Sequence, residues 1–532
     1  MSEVVAENRN ETNAASSDVI VQLLSEPHTY AERPRHVRCV ETHISWVFLT
    51  DRHAYKLKKP VKFDFLDFST PTLRHEACEH EVRLNRRLAA DIYLGVVPIT
   101  VSRTGGLQLN GKGTPVDWVV KMRRLPADRA LDRLISSRQL NEAEVHQLAH
   151  KLADFYFQLP PVSVRTEEYC KHILQHVQAN RDELLQPEHG FLAPIVKRVH
   201  AAQLRVRRLM PELFETRACD GRVVEGHGDL RPEHIYLTRT PTIIDCIEFN
   251  TDFRQLDVLD ELSFLAVECA YLEASWVGGR VLEQYCETTG DEPSPELLSF
   301  YMGYRACVRA KVHALRARQL SHDDRSQAIE AANKYLQLAD RYAAEVGPPV
   351  VLIVRGLTGS GKSTLAAALA ESLGIELLGT DRIRREMFGP SDGLADYGQR
   401  NYRSELRVQV YEEMIRRAST LLAARHSVVL DGTFLTTKLR ARTMSLARRR
   451  DAAPLLVHCQ CPDEVAIERI STRMVSENSL SESRPEFLRR QHEQEEADPP
   501  GCAACEVDTT PCIPAMLGQV FHGLKATLSD RR

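Results

Sequence analysis

No run of about eighteen apolar residues, the length a membrane-crossing helix needs, occurs anywhere in the chain. Its first seventeen residues, MSEVVAENRNETNAASS, lack the basic start and apolar core of an export signal. They predict a loose polar tail over 1–17. Nor is there an excess of one charge: 69 Lys and Arg against 73 Asp and Glu leave a formal net charge of -4. Nothing global therefore argues for a nucleic-acid or polyanion partner. Internal repeats and low-complexity tracts are also missing. Together these absences predict a cytoplasmic protein without a membrane partner.

Thirteen cysteines are present, but they are scattered and odd in number. Without an export signal they predict reduced thiols and no disulfide framework. Cys502 and Cys505 form a CxxC, with Cys459, Cys461 and His458 as conceivable companions. However, Cys459 and Cys461 end an apolar run in which alternate residues face opposite sides of a sheet. Zinc is not expected there. At 532 residues, with 43% hydrophobic and 27% charged composition, the chain predicts two or three globular domains.

Along the chain, residues 43–68 alternate apolar and polar positions and predict antiparallel strands. A helical pattern follows over 74–90, then a strand at 116–123. Residues 140–220 and 257–340 read as helical. Between them, VVEGHGDL and TIIDCIEF read as short apolar runs joined by a turn. At Val346-Gly347-Pro348-Pro349 no helix can continue, which predicts a domain boundary between 345 and 346. Beyond it strand and helix alternate (PVVLIVRG, IELLGTD, SVVLDGTF, APLLVHCQC), the pattern of an α/β domain with a parallel sheet.

Gly356-Leu-Thr-Gly-Ser-Gly361-Lys362-Ser363 follows the first of these strands and opens a helix. This is the GxxxxGK[ST] spacing of a phosphate-binding P-loop. Glycines let backbone N–H groups turn onto phosphate oxygens, and the helix start adds free amides and a positive dipole end. Gly356, Thr358, Gly359, Ser360, Gly361, Lys362, Ser363 and Thr364 are the candidate nucleotide contacts. Lys362 supplies charge to the β- and γ-phosphates, and Ser363 a hydroxyl to Mg²⁺. Asp381 closes the next strand and Arg384 follows within a turn, equipment for activating a hydroxyl beside an anion. Asp431 ends the strand SVVL, in position to organise Mg²⁺. Arg469 and Arg473 lie four apart on one predicted helix face, where they would serve a lid. This stretch resembles the P-loop kinase family that includes the kinase domain of polynucleotide kinase, the zeta-toxin kinases and small AAA-type ATPases. The resemblance implies Asp381 as general base, Arg384 as substrate contact, Asp431 near metal or substrate, and Arg469 or Arg473 in the lid.

Upstream, Glu225-Gly-His227-Gly228-Asp229-Leu-Arg-Pro-Glu-His234 precedes Ile243-Ile244-Asp245-Cys-Ile-Glu248. Two carboxylates on adjoining loops can divide proton removal and metal binding. The segments resemble the HGDxxxxN loop and IDxE segment of aminoglycoside phosphotransferases. That likeness implies Asp229 as catalytic base and Asp245 as metal ligand. It also implies an α+β, protein-kinase-like fold over 18–345, ahead of an α/β P-loop domain over 346–532. Lys56 or Lys58 would be the phosphate-holding strand lysine, with Lys56 preferred. Glu81 or Glu76 would pair with it, with Glu81 preferred. The wider stretch YKLKKPVKFDFLDFST is similar to a bacterial family named as bifunctional aminoglycoside-phosphotransferase-like and ATP-binding proteins. One position departs from the pattern: His234 stands where the loop has Asn, and imidazole suits softer metals than Mg²⁺. No Gly-rich loop precedes Lys56, only Thr50-Asp51-Arg52-His53.

The expected function is ATP- and Mg²⁺-dependent phosphoryl transfer to hydroxyl acceptors by both domains. The alternatives are an ATP-hydrolysing sensor with a degenerate first domain, and a nucleic-acid end kinase. The last would want a basic groove, and RARTMSLARRR over 440–450 reads more simply as a solvated basic helix.

Overall fold

Thr70 accepts a hydrogen bond from the amide of Leu73 and Pro71 follows it, so a helix starts there and runs to Ala89. Its Cys78, Glu81, Val82 and Asn85 recur at helical spacing and are buried. They face a six-stranded antiparallel sheet. In this computed structural model, residues 16–63, 65–190, 193–389, 404–475 and 485–530 are described, with backbone alone at 322, 404, 473–475 and 485–487.

The strands before the break at 346 are β1 (Arg38–Glu41), β2 (Ser45–Leu49), β3 (His53–Lys58), β4 (Lys62–Phe63), β5 (Leu66–Asp67), β6 (Tyr93–Val101), β7 (Leu107–Leu109) and β8 (Thr114–Arg123). The short strands β9 (Val223–Glu225), β10 (Ile235–Tyr236), β11 (Thr242–Ile243) and β12 (Gln255–Asp257) follow. The large sheet has the order β1-β2-β3-β8-β6-β7. β3 is central, flanked by β2 and β8, so a side chain on it is fixed from both sides. The runs read as two strands joined by a turn do not pair with each other: β9 pairs with β12. Asp245 has φ +66°, a left-handed backbone that ends any strand there.

After the break come β13 (Val350–Arg355), β14 (Glu376–Gly379), β15 (Val428–Asp431), β16 (Ala453–Gln460) and β17 (Ala504–Asp508). They form one parallel sheet of order β14-β15-β13-β16-β17. All six residues of β13 are buried, as a central strand covered on both faces demands.

By contacts the chain divides into two units, and the division differs from a cut at 345/346. One unit comprises residues up to Val164 with Arg217–Glu292, and the other Arg165–Thr216 with Pro293–Arg532. Helices Ala193–Leu209 and His322–Glu345 thus belong with the parallel sheet, and Leu209 shares a core with Val350, Leu352 and Leu369. Helical periodicity shows which face of a helix is apolar but not which sheet it will cover. At the start, the expected tail over 1–17 is shortened: Ser16 caps a helix that begins at Ser17, and 1–15 lie outside the described residues. Among the described residues no helix is long and apolar enough to cross a membrane.

Candidate functional site

In the second unit the loop between β13 and the helix Lys362–Leu373 is built on positive φ angles: Gly356 at 150°, Gly359 at 83° and Gly361 at 78°. The space beside each is taken. A Cβ on Gly356 would lie 2.5 Å from Ser360 Oγ and 2.6 Å from the Cys459 carbonyl oxygen. One on Gly359 would lie 2.5 Å from the Ala466 carbonyl oxygen. At Gly356 and Gly359 only hydrogen fits, which holds the loop in this tight curl. Thr358 N donates to Gln491 Oε1 at 2.8 Å, and the buried Ser360 Oγ has no hydrogen-bond partner. Lys362 Nζ donates to the Leu357 carbonyl at 3.3 Å, and Ser363 and Thr364 are exposed in the first helical turn.

This loop sits at the carboxyl ends of the strands, where open α/β sheets bind ligands. Asp431 ends β15 in register with Val354 on one side and Gly379 on the other. Asp381 follows Gly379 and keeps 41% of its side chain exposed, so an acceptor can reach it. Arg384 is buried and pairs with Asp381 at 3.4 Å. Arg469 donates to Thr509 Oγ1 at 3.1 Å and to its carbonyl oxygen at 2.7 Å, and its Nη1 stands 3.2 Å from the Cβ position of Gly361. It is anchored beside the loop by the turn after β17. The side chain of Arg473 lies outside the described residues.

In the first unit Lys56 Nζ bridges Glu81 Oε1 at 2.9 Å and Asp245 Oδ1 at 2.6 Å. Lys58 Nζ donates to Glu81 Oε2 at 2.7 Å and to Glu248. Glu81 and Lys58 are wholly buried, so each charge depends on the others. Burial alone would lower the Lys56 pKa, but Asp245 and Glu81 hold it well above the ordinary value. Partial burial pushes Asp245 up, yet Lys56 and then His234 pull it below the usual carboxylate range.

Asp229 lies on a loop fixed through its backbone. Glu261 accepts from the amides of His227 and Gly228, and from Tyr156 Oη at 2.7 Å. A Cβ on Gly226 would collide with Glu261. His227 Nε2 donates to the Ile244 carbonyl at 2.9 Å, and Nδ1 accepts from the Asp229 amide at 3.3 Å. Burial lowers the His227 pKa, in keeping with a neutral ring that clips one loop to the other. His234 lies between the acids, 3.6 Å from Asp229 Oδ2 and 3.5 Å from Asp245 Oδ2. Glu76, the alternative partner for Lys56, is not among its contacts.

A family model for an AAA domain matches residues 351–497. The uncharacterised proteins Rv2004c of Mycobacterium tuberculosis and Mb2027c of Mycobacterium bovis are each 32% identical over 462 residues. That span covers 81% of this chain and 85% of theirs. The chain belongs to their family. Among solved structures, a gluconokinase from Sinorhizobium meliloti is 20% identical with a TM-score of 0.26, over 34% of this chain and 95% of its own. The Mycobacterium tuberculosis APS kinase CysC is 17% identical with a TM-score of 0.25, over 34% and 99%.

Several residues around the two sites escaped the sequence reading. Glu248 was part of a quoted segment without a role, and Lys58 stood only as a substitute for Lys56. Glu261 had a signal: with Asp260 it puts acids in the first turn of the mostly apolar helix Val258–Tyr271. Thr509 and Gln491, which brace the P-loop, lie over 100 residues downstream of it and carry no local mark. Arg440 overturns the reading of 440–450 as solvated throughout. It is fully buried, pairs with Asp498 at 2.9 Å, and donates to the carbonyls of Phe434, Glu496 and Ala497. Of the exposed arginines of that run, Arg448 to Arg450 lie at the helix C-terminus, where cations complement the dipole.

Proposed function

We propose that this chain is a two-headed ATP-dependent phosphotransferase, each head passing the γ-phosphoryl group to a hydroxyl of a small molecule. The observation that carries the reading is the glycine cradle at 356–361, where Gly356 and Gly359 leave no room for a Cβ, beside Asp381 and Asp431 at one sheet edge. Backbone amides there wrap the phosphates and Lys362 neutralises them. Asp381 takes the acceptor's proton as its oxygen bonds to the γ-phosphorus. The bond from that phosphorus to the β–γ bridging oxygen breaks, and ADP leaves with the electron pair. Arg384 pairs with Asp381 and is the residue to meet an acceptor's anionic group. Arg469 steadies the cradle through Thr509. The donors fit Mg²⁺: an exposed hydroxyl on Ser363 and the carboxylate of Asp431 would hold it, and the ion would offset phosphate charge.

For the first unit we read a protein-kinase-like head. Support comes from the order of its parts: a hairpin, a central strand bearing Lys56, a helix bearing Glu81, and two acidic loops. Lys56 and Glu81 would grip the nucleotide phosphates, Asp229 would accept the acceptor's proton, and Asp245 would hold a metal ion. A second reading, a nucleotide- or ligand-sensing module, is favoured by the tight β1–β2 and β2–β3 turns, which carry no glycine. A nucleic-acid substrate loses support, because Arg440 serves the fold. Thirteen free thiols agree with a reducing cytoplasm.

The test is transfer from γ-labelled ATP to a panel of sugars, nucleosides, aminoglycosides and 5′-hydroxyl oligonucleotides. Lys362→Ala and Asp229→Ala, assayed separately, assign product to each head. ATP that binds without being transferred or hydrolysed under any acceptor rules out both enzyme readings.

A further inference from the structure

His234 Nδ1 lies 2.9 Å from the carbonyl oxygen of Asp229. A carbonyl only accepts, so Nδ1 carries the hydrogen and Nε2 is the nitrogen left to face Asp245. Nε2 lies 3.5 Å from Asp245 Oδ2, while Lys56 Nζ occupies the other oxygen, Oδ1, at 2.6 Å. A shared proton would draw Nε2 and Oδ2 to about 2.8 Å. Two ligands each about 2.1 Å from one ion and at a tetrahedral angle stand about 3.4 Å apart. The 3.5 Å observed matches the second of these spacings.

The surroundings agree. A ligating histidine usually donates its second N–H to a carbonyl or carboxylate, which fixes the ring, and Asp229 supplies that acceptor. His227 cannot compete, since both its nitrogens are engaged. Among the described residues no set of three His, Cys, Asp or Glu side chains closes a metal site, so other ligands must complete the shell. Asp245 keeps 44% of its side chain exposed, leaving room for phosphate oxygens and water. Mg²⁺ demands oxygen in near-octahedral array, whereas imidazole favours later first-row ions.

We infer that the first unit holds a first-row transition ion, in place of Mg²⁺, between His234 Nε2 and Asp245 Oδ2, with nucleotide phosphate oxygens completing it. The inference rests on the reading of that unit as a nucleotide-binding head. Metal uptake there should depend on nucleotide, because two protein ligands alone hold an ion weakly.

The experiment titrates Mn²⁺ into the full-length protein with and without the non-hydrolysable analogue AMP-PNP, counting bound ion by EPR and seeking directly bonded imidazole nitrogen by pulsed EPR. The expected result is a nucleotide-dependent Mn²⁺ with ¹⁴N coupling, lost in His234→Asn and His234→Gln variants of unchanged melting temperature. The preference for Mn²⁺ or Co²⁺ over Mg²⁺ should fall by at least about tenfold in both. The P-loop brings no histidine to its ion, so its Mn²⁺ leaves the nitrogen signal untouched. If wild-type Mn²⁺ shows no imidazole coupling while the Lys362→Ala chain still binds AMP-PNP, the inference fails and the head stands. If the Lys362→Ala chain binds no AMP-PNP with Mg²⁺, Mn²⁺ or Co²⁺, the head itself is refuted and the ion with it.

Discussion

Replacing Gly359 by alanine tests whether backbone shape, and not motif membership, makes the P-loop work. Gly359 has φ +83°, which costs an alanine about 1–2 kcal/mol. Its Cβ would stand 2.5 Å from the carbonyl oxygen of Ala466, a backbone atom that cannot turn aside. Relieving such a contact costs about 1–3 kcal/mol more. If that strain, about 2–5 kcal/mol in all, is released by opening the loop, P-loop affinity for Mg-AMP-PNP falls about 30-fold to a few thousand-fold. Gly361→Ala is the comparison. Its φ of +78° carries the same backbone penalty, but the nearest atoms are side-chain atoms of Thr509 and Arg469 at 3.1–3.2 Å, which can yield. A loss of about 5- to 30-fold is expected there. Calorimetric titration of both variants, with denaturant midpoints to confirm folding, supplies the measurement. Should Gly359→Ala bind within about threefold of wild type, or no worse than Gly361→Ala, the cradle argument is wrong.

Other perturbations probe the charge networks. Arg440→Ala strips donors from three backbone carbonyls and leaves Asp498 without this partner; about 3–5 kcal/mol should vanish in urea titration. Arg440→Lys should rescue little of it, and exposed Arg448→Ala should stay within about 0.5 kcal/mol. Lys58→Met leaves Glu81 and Glu248 buried with one cation fewer, so about 3–5 kcal/mol of stability should be lost. Lys56→Met should cost less, because Asp245 reaches solvent, yet should abolish nucleotide uptake by the first unit. His200 is buried and its pKa is lowered to about 4, by burial first and by Arg181 second. It folds neutral, so its stability contribution is intact above the unfolded value near 6.5 and is lost as pH falls from there towards 4, by about 3 kcal/mol in all. His200→Gln should flatten the slope of denaturant midpoint against pH in that window; an unchanged slope refutes the assignment.

How legible these features were depended on whether their causes are local. The P-loop strand and helix were plain, since a six-residue strand apolar up to its last position, Arg355, followed by spaced glycines admits few other shapes. β6 was not read as a strand. It contains Gly95 and Pro98, both breakers, and the structure absorbs the irregularity with register shifts at Tyr93/Gly95 and Ile99/Thr100. β17 (ACEVD) was missed because it is short and mostly exposed, with only Val507 buried. The left-handed backbone at Asp245 gave no signal at all, as an aspartate inside IIDCIEF reads like a strand.

Both proposed heads must hold polyphosphate, and they use opposite means, which explains why one was so much easier to see. In the second unit the work falls on backbone amides, and the backbone's requirement for glycine writes itself into eight consecutive residues. In the first unit it falls on side chains, with Lys56, Glu81, Lys58, Asp245 and Glu248 drawn from positions up to 190 residues apart. No spacing rule links such residues, because their proximity is a product of the fold. The two designs should also fail differently. A cradle that excludes a Cβ at Gly356 and Gly359 offers no compensating substitution there, whereas the Lys58–Glu248 pair can be replaced together by apolar residues of similar size at lower cost than either alone. A double-mutant cycle on Lys58 and Glu248 that shows no coupling would mean that the network does not act as a unit.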